Sequence, residues 1–222
     1  MLETAQIDTA MTGDGTEFVL ARRDNDWFVR AGGMLLMSSR MHDSEEDLAS
    51  RALERVANPR LVLVGGLGLG YTLRAVLDRI AADGHVTVAE LVPAVVEWNR
   101  THVSALAGNP LADPRVEVLV ADVFDTIERA RRAFEVILLD VDNGPVGLSQ
   151  ARNQRLYSYH GVRACHAALR PGGVLAVWLA GPNARFQRRL AGAGFKVDVL
   201  RVYARKGSGG GHHILFLAQR QQ

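Results

Sequence analysis

The sequence predicts an α/β fold, a seven-stranded and mostly parallel sheet with an antiparallel C-terminal hairpin, preceded by a small N-terminal β element. Three observations carry that expectation. From residue 61 onward, apolar runs of strand length alternate with segments of helical spacing, the pattern of a parallel sheet covered on both faces by crossover helices. The first run, "LVLVG" at 61–65, opens into a turn containing Gly66, Gly68 and Gly70 before apolar residues resume at helical spacing. The last two runs, 195–203 and 213–219, are joined only by the glycine-rich "ARKGSGGGHH", so they pair antiparallel.

Ahead of that domain, "EFVLARRDNDWFVRAGGMLLMSS" alternates apolar and polar residues around Asp24-Asn25-Asp26 and around Gly32-Gly33, the signature of an antiparallel meander. "HDSEEDLASRALERV" follows as a helix, with Ser44 as N-cap and Asp47 three residues on in a variant of the capping box. Residues 1–57 are therefore expected to form a small β-hairpin and helix element, and 58–222 the main domain. Within it, strands at 61–65, 86–90, 116–120, 134–139 and 173–179 alternate with helices over 70–82, 93–105, 123–132, 151–169 and 182–192. Pro171-Gly172-Gly173 ends one of these helices and Pro182 opens the next.

Composition narrows the function classes. A chain of 222 residues that is 48% hydrophobic can bury the core of one α/β domain. The formal net charge is only +2 and the arginines are scattered, so no nucleic-acid partner is expected. Cys165 is the single cysteine and sits in an apolar helical run, which excludes a disulfide framework and points to core packing. Nothing at the N-terminus reads as a signal peptide, and no apolar stretch approaches ~18 residues, so a cytoplasmic protein without a membrane partner is expected.

The glycines point to a ligand. A dinucleotide fingerprint wants G-x-G-x-x-G, whereas Tyr71 stands where the third glycine would fall, and no Gly-Lys-Ser/Thr follows as in a P-loop. The shared physical need survives: a turn without Cβ atoms that lets a ligand approach the backbone at the end of the first strand. Glu90 ends the second strand at the distance where a carboxylate accepts from ribose hydroxyls, Asp122 follows the third in "VLVADVFD", and Asp140 ends the fourth. Carboxylates at successive strand ends open onto one crevice, and together with the glycines they describe a nucleoside site.

These residues carry a resemblance. The order G-x-G-x-G, acidic strand end, "VAD", "ILLD" and "LRPGGVLAVW" resembles the class I S-adenosylmethionine-dependent methyltransferase fold over residues 58–220. Within it the chain looks closest to the spermidine synthase branch, through "GGLGLGYTLRAVLD", "FEVILLDVDNGP" and "RLYSYHGVRACHAALRPGGVLAV". The resemblance implies that Gly66, Leu67, Gly68 and Gly70 surround the amino-acid portion and sugar of the cofactor. It assigns Glu90 and Leu91 to the ribose, Asp122 and Val123 to the adenine, and Asp140 to the border between cofactor and acceptor. It also implies a homodimer.

Two positions depart from the aminopropyltransferase pattern. Aligned on Leu73-Arg74, Leu69 occupies the place of an aspartate that holds the amine of the aminopropyl donor, and Asn143 stands at the second aspartate of the catalytic segment. Buried ammonium groups need carboxylates, so their loss favours methyl transfer from S-adenosylmethionine to a small-molecule acceptor, leaving S-adenosylhomocysteine. Asp140 is the candidate base or orienting group, with Asp142 second. Aminopropyl transfer from decarboxylated S-adenosylmethionine is the alternative, and a non-catalytic nucleoside-binding scaffold the second alternative. No metal is expected, because Leu179-Ala180-Gly181 follows the fifth strand where a metal-dependent enzyme of this fold would want an Asp-Asn pair. Tyr157, Tyr159 and His160 are candidates for the acceptor pocket, and of His212 and His213 at most one points inward.

Overall fold

The structure, a computed structural model, describes residues 4–13, 15–141, 154–205 and 211–221. Two sheets are present. The first is four-stranded and antiparallel, in the order β1 (Ala5–Met11), β2 (Glu17–Arg23), β3 (Asp26–Ala31) and β4 (Met34–Ser38). The second has seven strands in the order β10-β11-β9-β8-β5-β6-β7, built from β5 (Leu61–Gly65), β6 (His85–Glu90), β7 (Val116–Val120), β8 (Phe134–Leu139), β9 (Leu169–Leu179), β10 (Phe195–Tyr203) and β11 (His212–Arg220). Strands β5 to β9 pair in parallel, while β9, β11 and β10 pair antiparallel, as expected for the α/β fold with its C-terminal hairpin.

Helices cover both faces: α1 (Asp43–Leu53), α2 (Tyr71–Leu77), α3 (Pro93–Arg100), α4 (Val123–Arg129), α5 (Tyr159–Ala168) and α6 (Ala184–Gly192). The central strands read as continuous apolar runs because their alternate residues enter different cores. Val62, Val64, Val136 and Leu138 pack on one face with α1, α2 and α3, and Leu63, Ile137 and Leu139 on the other with α4, α5 and α6. Cys165 lies in the second core, where burial pushes its thiol up to about 12. Among the described residues no helix is long and apolar enough to cross a membrane.

Several boundaries differ from the sequence expectation, each for a local reason. The meander has a fourth strand, β1, which is solvent-exposed along most of its length and therefore lacks a clear apolar alternation. It is anchored by Trp98 Nε1, which donates to Asp8 Oδ2 at 2.7 Å. Helix α3 stops at Arg100 and the chain continues through two short 3₁₀ turns, Ser104–Ala107 and Pro110–Ala112, across Gly108 and Asn109 in left-handed conformations. Pro171-Gly172-Gly173 does not separate helix from strand; it lies inside β9, at an irregularity in the β8 pairing, with Gly172 at φ +79. Ser44 is not the N-cap of α1: His42 holds that place without a side-chain cap, and Ser44 is buried. Its hydroxyl accepts from Trp178 Nε1 at 3.2 Å and lies 3.0 Å from His213 Nδ1, which ties the start of α1 to the ends of β9 and β11.

Candidate active site

The C-terminal ends of β5, β6, β7 and β8 open onto a cleft of about 670 Å³ whose far wall is the N-terminal sheet. Gly66, Gly68, Glu90, Leu91, Asp122, Val123 and Asp140 line the main-domain side, and Met11, Thr12, Thr16, Phe18 and Met37 face them. The turn after β5 is shaped by Gly66 at φ +89, where the chain passes so close to β8 that a Cβ would stand 2.5 Å from the Asp140 carbonyl oxygen. Leu67 and Gly70, expected beside the ligand, do not line this cleft. Leu67 is buried in the first core, and a Cβ on Gly70 would meet Asn99 and Pro110 instead.

The three strand-end carboxylates are engaged differently. Glu90 is buried and accepts from the Leu67 amide through Oε2 and from the Val92 amide through Oε1, both at 2.8 Å, so it braces the glycine turn. Burial pushes its carboxyl above the usual range, although these backbone donors pull the other way. Asp122 caps α4 through the Phe124 amide at 2.9 Å and pairs with Arg155 at 2.8 Å. Asp140 is different. Thr72 Oγ1 donates to its Oδ2 at 3.2 Å, and Oδ1 is buried and accepts no hydrogen bond among the described residues. Burial holds its carboxyl up at about 6, with the Thr72 bond opposing. No Lys, Arg or His lines the cleft among the described residues.

The remaining candidates lie elsewhere. Asp142 and Asn143 fall outside the described residues, as does 206–210 of the glycine-rich loop. Tyr157 packs edge-on against Phe186, Tyr159 is exposed, and His160 is 2.9 Å from Glu128 on the α4 side. His213 turns toward Ser44 and Trp178, whereas the His212 ring packs on Tyr203. Sequence reasoning missed Thr72, two residues beyond the glycine turn, and the hairpin residues Thr12 and Thr16, whose strand signals carry no hint of a ligand.

Residues 41–183, more than half of the chain, match the spermine/spermidine synthase domain. The chain belongs to that family. Among its spermine/spermidine synthase relatives, "Polyamine aminopropyltransferase 2" of Pseudomonas aeruginosa is 35% identical over 144 residues. That similarity covers 61% of this chain but only 39% of the relative, so the chain spans about two fifths of that protein's length. The spermidine synthase of Thermotoga maritima superposes with a TM-score of 0.80 at 20% identity, over 99% of this chain and 74% of that one. A spermidine synthase in complex with the transition state analogue AdoDATO gives 0.79 at 20% identity, with the same coverage. At that identity the likeness is one of fold.

Family and relative together overturn the expectation of S-adenosylmethionine-dependent methyl transfer, since the names found are those of aminopropyltransferases and not of methyltransferases. The physical basis of the misreading is visible at position 69. Leu69 is 3% exposed and packs in the first core, so the missing aspartate leaves no gap in the described wall of the cleft. Leu69→Asp is accordingly expected to bury an unpaired charge and to destabilise the fold by about 3–5 kcal/mol. Differential scanning calorimetry checks this; an unchanged Tm would show that position 69 accommodates a carboxylate.

Proposed function

We propose that the protein transfers an aminopropyl group from decarboxylated S-adenosylmethionine to a small amine. The observation that carries this reading is the charge of the cleft: Glu90, Asp122 and Asp140 line it, and no basic side chain does among the described residues. A donor with a sulfonium and a terminal ammonium suits such a wall. The amino-acid carboxylate of S-adenosylmethionine would instead meet Asp140, which no described Lys, Arg or His balances. Membership of the spermine/spermidine synthase family supports the same reading.

In this scheme the glycine turn lies along the donor, and Glu90 and Asp122 use their remaining lone pairs for the sugar and the adenine amine. Asp140 faces the acceptor and takes a proton from its ammonium group. The freed nitrogen attacks the carbon next to sulfur, the N–C bond forms as the C–S bond breaks, and 5′-methylthioadenosine leaves. The protein's contribution is alignment and removal of one proton, for which a carboxyl held at about 6 is poised near neutral pH.

Mass spectrometry of the nucleoside product tests the proposal. Incubation with decarboxylated S-adenosylmethionine and an aliphatic diamine is expected to yield 5′-methylthioadenosine and the aminopropylated amine in equal amounts. Failure across a panel of mono-, di- and triamines would contradict it.

A further inference from the structure

The glycine turn is gripped from α3, by a side chain that does not line the cleft. Asn99, near the end of that helix, is only 2% exposed. Its Nδ2 donates to the Gly68 carbonyl at 2.8 Å and to the Val95 carbonyl, one helical turn back, at 2.9 Å. A side-chain amide has two N–H donors, and here both meet carbonyl oxygens, which fixes its orientation because the flipped amide would set Oδ1 against two acceptors. Asn99 Oδ1 lies instead against Gly70, buried and accepting no hydrogen bond among the described residues.

This arrangement accounts for a glycine that the ligand does not. Gly70 does not line the cleft, yet a Cβ there would stand 3.1 Å from Asn99 Oδ1 and 3.1 Å from Pro110 Cγ. Its bare backbone leaves room for the Asn99 amide beside the turn. Gly68 does line the cleft, at φ +57, and Met37 Sδ of the far wall lies 3.3 Å from its Cβ position. The turn is thus pinned at successive residues from two elements: Glu90 of β6 accepts from the Leu67 N–H, and Asn99 of α3 donates to the Gly68 carbonyl. Trp98, the preceding residue of α3, donates to Asp8 of β1, so neighbouring side chains of one helix hold both walls of the cleft.

Resting on the reading that this turn lies along the donor, we propose that Asn99 is a positioning residue for donor binding, which sets the Gly68 peptide from α3 in the orientation that receives the nucleoside. Peptides flanked by glycine rotate at little cost, and the bond from Asn99 removes that freedom before the donor arrives. Glutamate or aspartate could not replace it, because a carboxylate offers no donor to either carbonyl.

The test is calorimetric titration of 5′-methylthioadenosine into the whole protein at 25 °C, with the Tm of each variant measured alongside. Asn99→Ser retains a hydroxyl that bonds back to the Val95 carbonyl but is too short to reach Gly68, and Asn99→Asp keeps the volume while losing both donors. Leu190→Ala, a truncation of a fully buried side chain in the second core, is the control for lost stability alone. Both Asn99 variants are expected to bind the nucleoside at least fivefold more weakly than wild type, whereas Leu190→Ala should lower Tm at least as far as Asn99→Ser and still bind within twofold. Asn99→Ser with wild-type affinity would overturn the proposal. So would a loss of affinity in Leu190→Ala equal to that in Asn99→Ser, or a wild type that binds no 5′-methylthioadenosine at millimolar concentration. Nucleoside binding that depends on Asn99 in a protein that transfers no aminopropyl group would uphold the positioning role and reject aminopropyl transfer.

Discussion

Asp140→Asn is expected to lower kcat by about 10²–10⁴-fold, the range associated with loss of a positioned base, while donor affinity stays within a few-fold of wild type. The asparagine keeps the shape and can still accept from Thr72, but it cannot take a proton from an ammonium group. The pH dependence follows from the same carboxyl. Only ionised Asp140 acts as base, so kcat/KM should rise with pH through a limb near 6 and then level off, and Asp140→Asn should abolish that limb. Stability runs the other way. A carboxyl whose folded pKa is raised from 3.8 to about 6 binds more protons folded than unfolded across that window, so its favourable contribution is present at low pH and lost as pH rises toward 6. Above pH 7 the asparagine variant should therefore melt at or above the wild-type temperature, which separates lost chemistry from lost structure. Turnover within threefold of wild type would remove Asp140 from the mechanism, and equal losses of turnover and donor binding would make it a donor ligand.

Gly66→Ala carries the largest expected effect on the fold and on donor binding together. The added Cβ would stand 2.5 Å from the Asp140 carbonyl oxygen and 3.3 Å from its carbonyl carbon, and the residue would be held at φ +89. Neither strain is relieved by a rotamer change, because the obstacle is backbone at the end of β8. Overpacking and left-handed strain together are expected to destabilise by about 3 kcal/mol, a Tm fall of roughly 6–12 °C for a chain of this size. The turn and Asp140 should also move apart, weakening donor binding more than tenfold. Gly181→Ala is the matched control: nothing lies within 4 Å of its Cβ position, and its Tm should shift by less than about 2 °C. A Gly66→Ala protein with wild-type Tm and donor affinity would show that the turn is not a tight passage.

The parallel core was legible because the strands β5 to β8 are predominantly apolar and followed by glycine or acidic residues, and their ends fall at or within a residue of the positions read from sequence. Signals failed where burial and local propensity part company. Strand β1 is exposed and so has little pattern, and Ser44 has cap chemistry but spends it on Trp178 and His213. The strand-end positions of Glu90, Asp122 and Asp140 were readable, because topology alone directs them to one crevice. Their partners were not. That Glu90 braces the glycine turn, that Asp122 meets Arg155 across 33 residues, and that Thr72 donates to Asp140 all depend on packing between elements distant in sequence. The misreading of the chemistry had the same source: Leu69 registered as a lost charge, whereas its side chain packs in the first core and does not line the cleft.

The decisive measurement is paired calorimetric titration of the purified protein with decarboxylated S-adenosylmethionine and with S-adenosylmethionine under identical conditions at pH 7.5. An acidic cleft lined by no basic side chain among the described residues predicts at least tenfold tighter binding of the decarboxylated donor, equivalent to about 1.4 kcal/mol or more. Tighter binding of S-adenosylmethionine would mean that the site balances a ligand carboxylate after all, and would contradict the aminopropyl-transfer reading at its base.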